Sequence, residues 1–472
     1  MAEYKTPGVY IEEIPHLPPS IASVETAIPA FIGYTQIAQN KAAGDLIGQP
    51  WRIESMLEYE LYFGGPDPEK GITVSINTAG GKVDIQGRVD KPSIYLMYYS
   101  LQMFFINGGG PCYIVAVGDY TKGTILVPDL TSGLDAIKRI KEVTLLAFPD
   151  SMNVTNVNNY VDIHTQAIQQ CVDLQDRFTV MDVFMDPAVP LNQWKTNTDT
   201  MRNTLAGDTD HLKYGAVYFP RIFTNIDFSY KKNDGSGQDN DDLVKVEGFA
   251  GATTLTQLKS ANNAYYYQAK SAINDIQMLL PASSAALGVY ASVDSTRGVW
   301  KAPANVNIDF AIAPEIQITH LEQQDLNVDP NAGKSINVIR SFPGRGPAII
   351  WGARTLSGND NEWRYISVRR FFIMVEQSVK NATEQFVFEP NDANTWVRVK
   401  SMIQNYLTQQ WKAGALMGTS TKEAFFVHVG LGETMVELDV WEGRMIVEIG
   451  MAVVRPAEFI ILRFMHKMLA ES

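Results

Sequence analysis

The chain is predicted to fold as an α/β middle region followed by a compact α+β unit near the C-terminus. Three observations predict it. First, from Cys112 onward strand-like runs (113–117, 144–148, 179–184, 216–219) alternate with helical segments (133–141, 157–174, 194–205). That alternation is the pattern of βαβ units and of a partly parallel sheet. Second, Val368, Phe371, Phe372, Val375 and Val379 fall at i, i+3, i+4, i+7 and i+11, one apolar stripe on a helix over about 363–380. A second helix carries Trp396, Val399, Ile403, Leu407 and Trp411 on one side. It starts after the breaker and cap residues Glu389-Pro390-Asn391-Asp392 and ends at Gly414 and Gly418. Three strand-like runs follow, 424–429, 435–440 and 445–454. Third, 472 residues with 45% hydrophobic and 10% aromatic content are enough for two or three domains with a sizeable core.

The earlier elements follow from the same reading. A strand is expected over 27–34 and a short helix over 55–63, stopped by Gly64-Gly65-Pro66. A Gly-rich hairpin or loop is expected over 73–91, and a helix over 92–105 that ends at Asn107-Gly108-Gly109-Gly110. The glycine triplet follows a helix and precedes a strand, the reverse of the order that cradles a phosphate, so it reads as a helix end and turn. Gly80-Gly81-Lys82 lacks the upstream glycine and the following Ser or Thr of a nucleotide loop. The polar stretch 231–242 is an exposed loop; no Glu stands where a calcium loop needs one. A long helix is expected over 254–280 and a strand over 285–291.

Composition excludes several classes. A formal net charge of −13 argues against nucleic acid as the main partner. Two cysteines, Cys112 and Cys171, are too few for a disulfide framework. No apolar run approaches membrane-spanning length, and the Met-Ala-Glu-Tyr-Lys start carries no secretory signal. Any work outside the cell would therefore rely on another route of release. The six histidines form no metal-binding pair at helical spacing. His164 and Cys171 can share a helix face, where core packing outweighs a two-ligand zinc site. Asp182 and Asp186, near a strand end, suggest an enzyme site only by analogy with other α/β folds. No cofactor is expected.

The two ends carry the most specific words. Thr6, Pro7, Gly8, Val9, Tyr10, Ile11, Glu12, Glu13 and Ile14 form an isolated strand bounded by prolines. It pairs either within its own chain or with another copy. The run Phe459-Ile460-Ile461-Leu462-Arg463-Phe464 is apolar on both faces, set off by Pro456. It is either the last strand of its own domain's sheet or a strand exchanged with a neighbour.

These ends, with Arg297-Gly298-Val299-Trp300-Lys301-Ala302-Pro303, Pro343-Gly344-Arg345-Gly346, Trp351-Gly352-Ala353-Arg354-Thr355-Leu356, Trp363-Arg364-Tyr365, Phe388-Glu389-Pro390-Asn391-Asp392 and Pro456-Ala457-Glu458-Phe459, resemble contractile tail sheath proteins. That family includes phage tail sheaths, phage-tail-like bacteriocins and extracellular contractile injection systems. The resemblance covers residues 4–15 and 296–464; the middle of the chain looks system-specific. It implies an arm over 1–20 that donates a strand, an α/β outer domain over 21–342 (with a division near 100 left open), a C-terminal sheath core over 343–458, and a terminal strand over 459–472. The core's small mixed sheet would be completed by neighbouring subunits' strands. The resemblance also implies a structural, non-enzymatic subunit. Its partners would be further copies of itself in a helical polymer, an inner tube protein, and baseplate and terminal cap proteins. Assembly would take place in the bacterial cytoplasm and action in an extracellular or cell-associated particle. Arg364, Arg369, Arg370, Arg398, Lys400 and Lys412 lie on the two C-terminal helices of an otherwise acidic chain. They are either a tube-facing patch or solvated and internally paired helix faces.

Overall fold

The computed structural model describes residues 20–78, 82–232 and 236–463. The expected arm strand at Thr6–Ile14 lies outside the described residues. The chain divides into two units, residues 25–373 with 455–472, and residues 1–24 with 374–454.

The first unit is built on a nine-stranded sheet. Its spatial order is Val306–Asn307, Gly346–Ile350, Asn337–Phe342, Gly215–Phe219, Phe178–Asp182, Leu145–Ala147, Pro29–Thr35, Cys112–Asp119 and Trp51–Ile53. Every neighbouring pair from Asn337–Phe342 across to Cys112–Asp119 is parallel, while the strands at the two margins pair antiparallel. The alternation read from the sequence is therefore real. Pro29–Thr35 is buried throughout, as a central parallel strand covered on both faces must be. The helix Val157–Leu174 matches its expected limits. Asn156 caps it by accepting the Asn159 amide, and Gln175 ends it in a left-handed conformation. A smaller core forms around the hairpin Ile72–Asn77 and Asp84–Val89, with Lys245–Glu247 parallel to the first of these strands.

Three expectations are corrected. The segment 285–291 is not a strand but part of the helix Ser283–Arg297. Its small residues let it lie close against a neighbour, since a Cβ on Gly288 would sit 2.4 Å from the Phe104 carbonyl oxygen. The long helix over 254–280 is two helices, Leu255–Ala261 and Asn263–Asn274, followed by the strand Met278–Leu280. Asn262 breaks it, because its side chain accepts the amides of Ala264 and Tyr265 and so caps a new helix. The run 435–440 holds a short helix, Glu437–Trp441, and not a strand. Asp439 accepts the Val436 amide, and Gly443 at φ +73° turns the chain back. The hairpin that adds Asn337–Phe342 and Gly346–Ile350 to the nine-stranded sheet spans position 343, and the two compact units divide within the helix Ile366–Thr383, with residues 455–458 in the first unit.

Candidate assembly surface

The second unit contains the helix Ala393–Lys412. Asp392 caps it, accepting the Thr395 amide at 2.9 Å, and Val399, Met402, Ile403, Tyr406 and Leu407 are its buried side. Beside it lies a sheet that among the described residues has two strands, Phe425–His428 and Glu448–Met451, antiparallel with Val427 opposite Ile449. The ladder runs on past both strands. Ala452 donates to the Ala424 carbonyl at 2.8 Å and accepts from the Met417 amide at 2.7 Å, and Val454 donates to Ala415. The amide and carbonyl of one strand residue point the same way, so Ala424 and Met417 lie on one side of this strand. By the same alternation Ile449 and Met451 direct their backbone groups to the opposite edge, and Phe425 and Val427 direct theirs to the far edge of the partner strand. Neither edge is paired among the described residues. A two-stranded sheet is marginal by itself, and an open edge is a template for a further strand.

The C-terminal run supplies strand-forming chain without a place in its own sheet. Through Arg463 it pairs with no strand among the described residues, and Phe464 lies beyond them. Phe459, Ile460, Ile461 and Leu462 are 68–80% exposed. Four consecutive large apolar side chains in water mark a contact surface.

The basic residues separate into two groups. Arg369 and Arg370 are buried and cannot face a tube. Arg369 stacks on the Tyr214 and Trp363 rings at 4.9 and 4.7 Å. Arg370 grips Asp294 through both terminal nitrogens, at 3.1 and 2.5 Å, and lies over Tyr290. Helical periodicity could not show this, because the partners come from distant parts of the chain. Arg364 braces its own turn, donating to the Asp360 carbonyl and to Asn361. Arg398 and Lys412 remain exposed and Lys400 is half-exposed. Arg398 lies 3.6 Å from Glu389 and Lys400 3.5 Å from Glu433.

The groups that suggested chemistry have structural roles. Asp182 is buried at the end of its strand and accepts the amides of Ala282 and Ser283 at 2.9 and 3.0 Å, at the start of the helix Ser283–Arg297. Asp186 closes a local turn onto the Ala188 amide. His164 is buried against Phe148 and Tyr160, with Nε2 3.2 Å from the Ser151 hydroxyl, and burial depresses its pKa to about 3. Cys171 is buried on the same helix. No group of three or more His, Cys, Asp or Glu side chains able to hold a metal occurs among the described residues. No helix among them is long and apolar enough to cross a membrane.

Burial pushes the Asp182 carboxyl up to about 6, against the amides that favour its charge. With the folded value above the unfolded value of about 3.9, the native state holds an extra proton between these pH values. That contribution is fully present below about pH 4 and is lost as pH rises through 6. Asp182→Asn keeps an oxygen for both amides but does not titrate. Wild type should therefore lose ~2–3 kcal/mol relative to this variant between pH 4 and 7.5. Urea midpoints at the two pH values measure it; a pH-independent difference would refute the assignment.

Residues 358–466 match the family model described as phage tail sheath C-terminal domain. Among curated proteins, the tail sheath protein of Vibrio phage KVP40 is 27% identical over 135 residues; the match spans 29% of this chain and 20% of that protein's length. The helical sheath of the anti-feeding prophage (AFP) in the contracted state is 30% identical with a TM-score of 0.63, over 98% of this chain and 100% of that one. The contracted sheath complex of the extracellular contractile injection system PVC is 28% identical with a TM-score of 0.63, over 99% of both chains. Likeness of this extent makes the chain a structural subunit of a contractile sheath. It belongs to the contractile tail sheath family.

Proposed function

We propose that the subunit polymerises helically around an inner tube by exchanging its ends with neighbouring copies, and that contraction of the polymer drives the tube through a target envelope. The observation that carries this reading is the exposed run Phe459–Leu462, together with a two-stranded sheet neither of whose edges is paired among the described residues. An extended segment added to a sheet edge gains backbone hydrogen bonds worth a net ~0.5–1.5 kcal/mol each, against an ordering cost of ~1–2 kcal/mol per residue. Hydrogen bonds alone do not hold it. Burial of large apolar side chains at roughly 1.5–3 kcal/mol each decides the balance, for Phe459 to Leu462 at one end and for Val9, Tyr10, Ile11 and Ile14 at the other. A projecting strand and an acceptor edge on different parts of one surface make a head-to-tail contact, and an operator that does not close gives an open helix.

In this reading the energy of contraction is stored at assembly. The extended lattice is kinetically trapped, and its release propagates from one end. Baseplate and cap proteins hold the two ends. Assembly takes place in the bacterial cytoplasm and contraction in an extracellular particle.

Electron microscopy of the purified chain tests the reading. Hollow striated cylinders are expected, and deletion of residues 1–15 should leave single subunits; cylinders from the deleted chain would sink it. The tube contact is tested apart. Exposed Arg398 and Lys412, with half-exposed Lys400, form its basic side. The triple change to Glu should leave sheath formation intact and reduce tube co-purification by about tenfold or more. Undiminished tube recovery would remove these residues from the contact.

A further inference from the structure

Where the exposed C-terminal run leaves the first unit, a buried arginine grips the chain. At the C-terminal root, Glu458 immediately precedes the exposed run. Arg354, 3% exposed at its side chain, donates to Glu458 from Nε at 2.9 Å and from Nη2 at 2.7 Å, while its Nη1 donates to the Gly358 carbonyl. Asn327 and the Tyr365 hydroxyl donate to the same carboxylate at 2.7 and 3.0 Å. Arg455 is tied to the Asn361 carbonyl. Burial opposes the charge of Glu458, but the bonds from Arg354, Asn327 and Tyr365 outweigh it and hold the carboxyl below its usual range.

Thr26 is also held on both its side chain and its backbone, but no free end starts there, since Ser23 and Val24 just before it bond to Tyr406 and Ser378. Its hydroxyl donates to Asp294 at 2.5 Å, and its carbonyl accepts from Arg370 at 2.9 Å and from the Thr144 hydroxyl at 2.9 Å. Arg370 and Asp294 are 3% and 7% exposed at their side chains. Ile28 then donates to Thr144, and the central strand begins at Pro29.

Buried ion pairs of this kind add little net stability over an apolar replacement, because desolvating both charges offsets their attraction. What they do provide is a single direction and position for the chain they hold. We propose that Arg354–Glu458 is a root anchor. It fixes the point from which the exchanged C-terminal end leaves the subunit, so that strand exchange begins from a set position and tension on that end passes into the nine-stranded unit. The inference rests on the end-exchange reading above and adds positioning residues to it. A fixed root raises the effective concentration of the strand at its target and lessens what must be ordered on docking.

The test uses Glu458→Gln, which keeps the shape of the side chain and removes its charge. A nitroxide is attached through Ile460→Cys, a site 80% exposed, while the native Cys112 and Cys171 are buried and inert to the label. In the unassembled subunit, label mobility should rise on adding Glu458→Gln. In the unlabelled chain, the critical concentration for assembly should rise about tenfold or more with the melting temperature held. Tyr365→Phe removes one hydroxyl and should give an intermediate mobility, which serves if Glu458→Gln impairs folding. Unchanged mobility and unchanged critical concentration would overturn the anchor. A chain lacking residues 459–472 separates this from the reading beneath it. If that chain assembles normally, strand exchange itself is wrong. If it fails while Glu458→Gln assembles as wild type, only the anchor is.

Discussion

Ile461→Asp should leave the subunit folded and raise the concentration needed for assembly by about a hundredfold or more. Ile461 is 78% exposed, so an Asp there meets water in the free subunit and costs the body nothing measurable. On the proposed exchange, the same position is covered in a neighbour's sheet. Loss of one large apolar side chain removes roughly 1.5–3 kcal/mol, and a carboxylate buried without a partner adds several more. At 1.4 kcal/mol per tenfold, even the first term approaches two orders of magnitude. Alternation along a strand places Phe459 and Ile461 on one face and Ile460 and Leu462 on the other. Ile460→Asp should be equally severe if both faces are covered after docking. Sedimentation of sheath across a concentration series measures both changes. Wild-type assembly by Ile461→Asp would mean that this run is not a docked strand.

Asp150→Ala should destabilise the first unit by ~3–6 kcal/mol. Asp150 is fully buried; its carboxylate accepts the Tyr34 amide at 2.7 Å and the Leu96 and Met97 amides at 2.6 and 3.1 Å, the latter two at the start of the helix Met97–Ile106. Truncation leaves three buried donors without an acceptor, at ~1–3 kcal/mol each with partial relaxation. Space is tight as well, since a Cβ on Gly33 would stand 2.4 Å from the Asp150 Oδ2. The denaturant midpoint should fall accordingly. A loss below about 1 kcal/mol would show that other groups take over the amides.

Asp150 and Asp182 together show what occupies the helix starts beside this parallel sheet. In open α/β folds, ligands bind beyond the carboxyl ends of the strands, where helix N-termini offer free amides. In this chain the same amides are taken by the protein's own carboxylates, from residues just past or at the ends of two neighbouring strands. The sequence displayed Asp182 as a carboxylate at a strand end. It could not display that the helix start at Ala282, 100 residues on, was waiting for it.

Local pattern by itself determined the elements with strong periodicity or caps. Val157–Leu174, Ala393–Lys412 and the alternation behind the parallel sheet were all legible, because neighbours in sequence set those preferences. The words at 343–356, 388–392 and 456–459 also determined the family. Only the tertiary structure decided that 283–297 is a helix, that the two compact units divide within a helix, and that residues 459–463 pair with no strand among the described residues. It alone turned Arg370 from a candidate surface charge into a grip on Asp294, 76 residues away, and Arg354 into one on Glu458, 104 residues away. Periodicity reports which face of an element is apolar. Whether a charge on that element meets water or a buried partner depends on contacts between segments far apart in the chain, which no local spacing records.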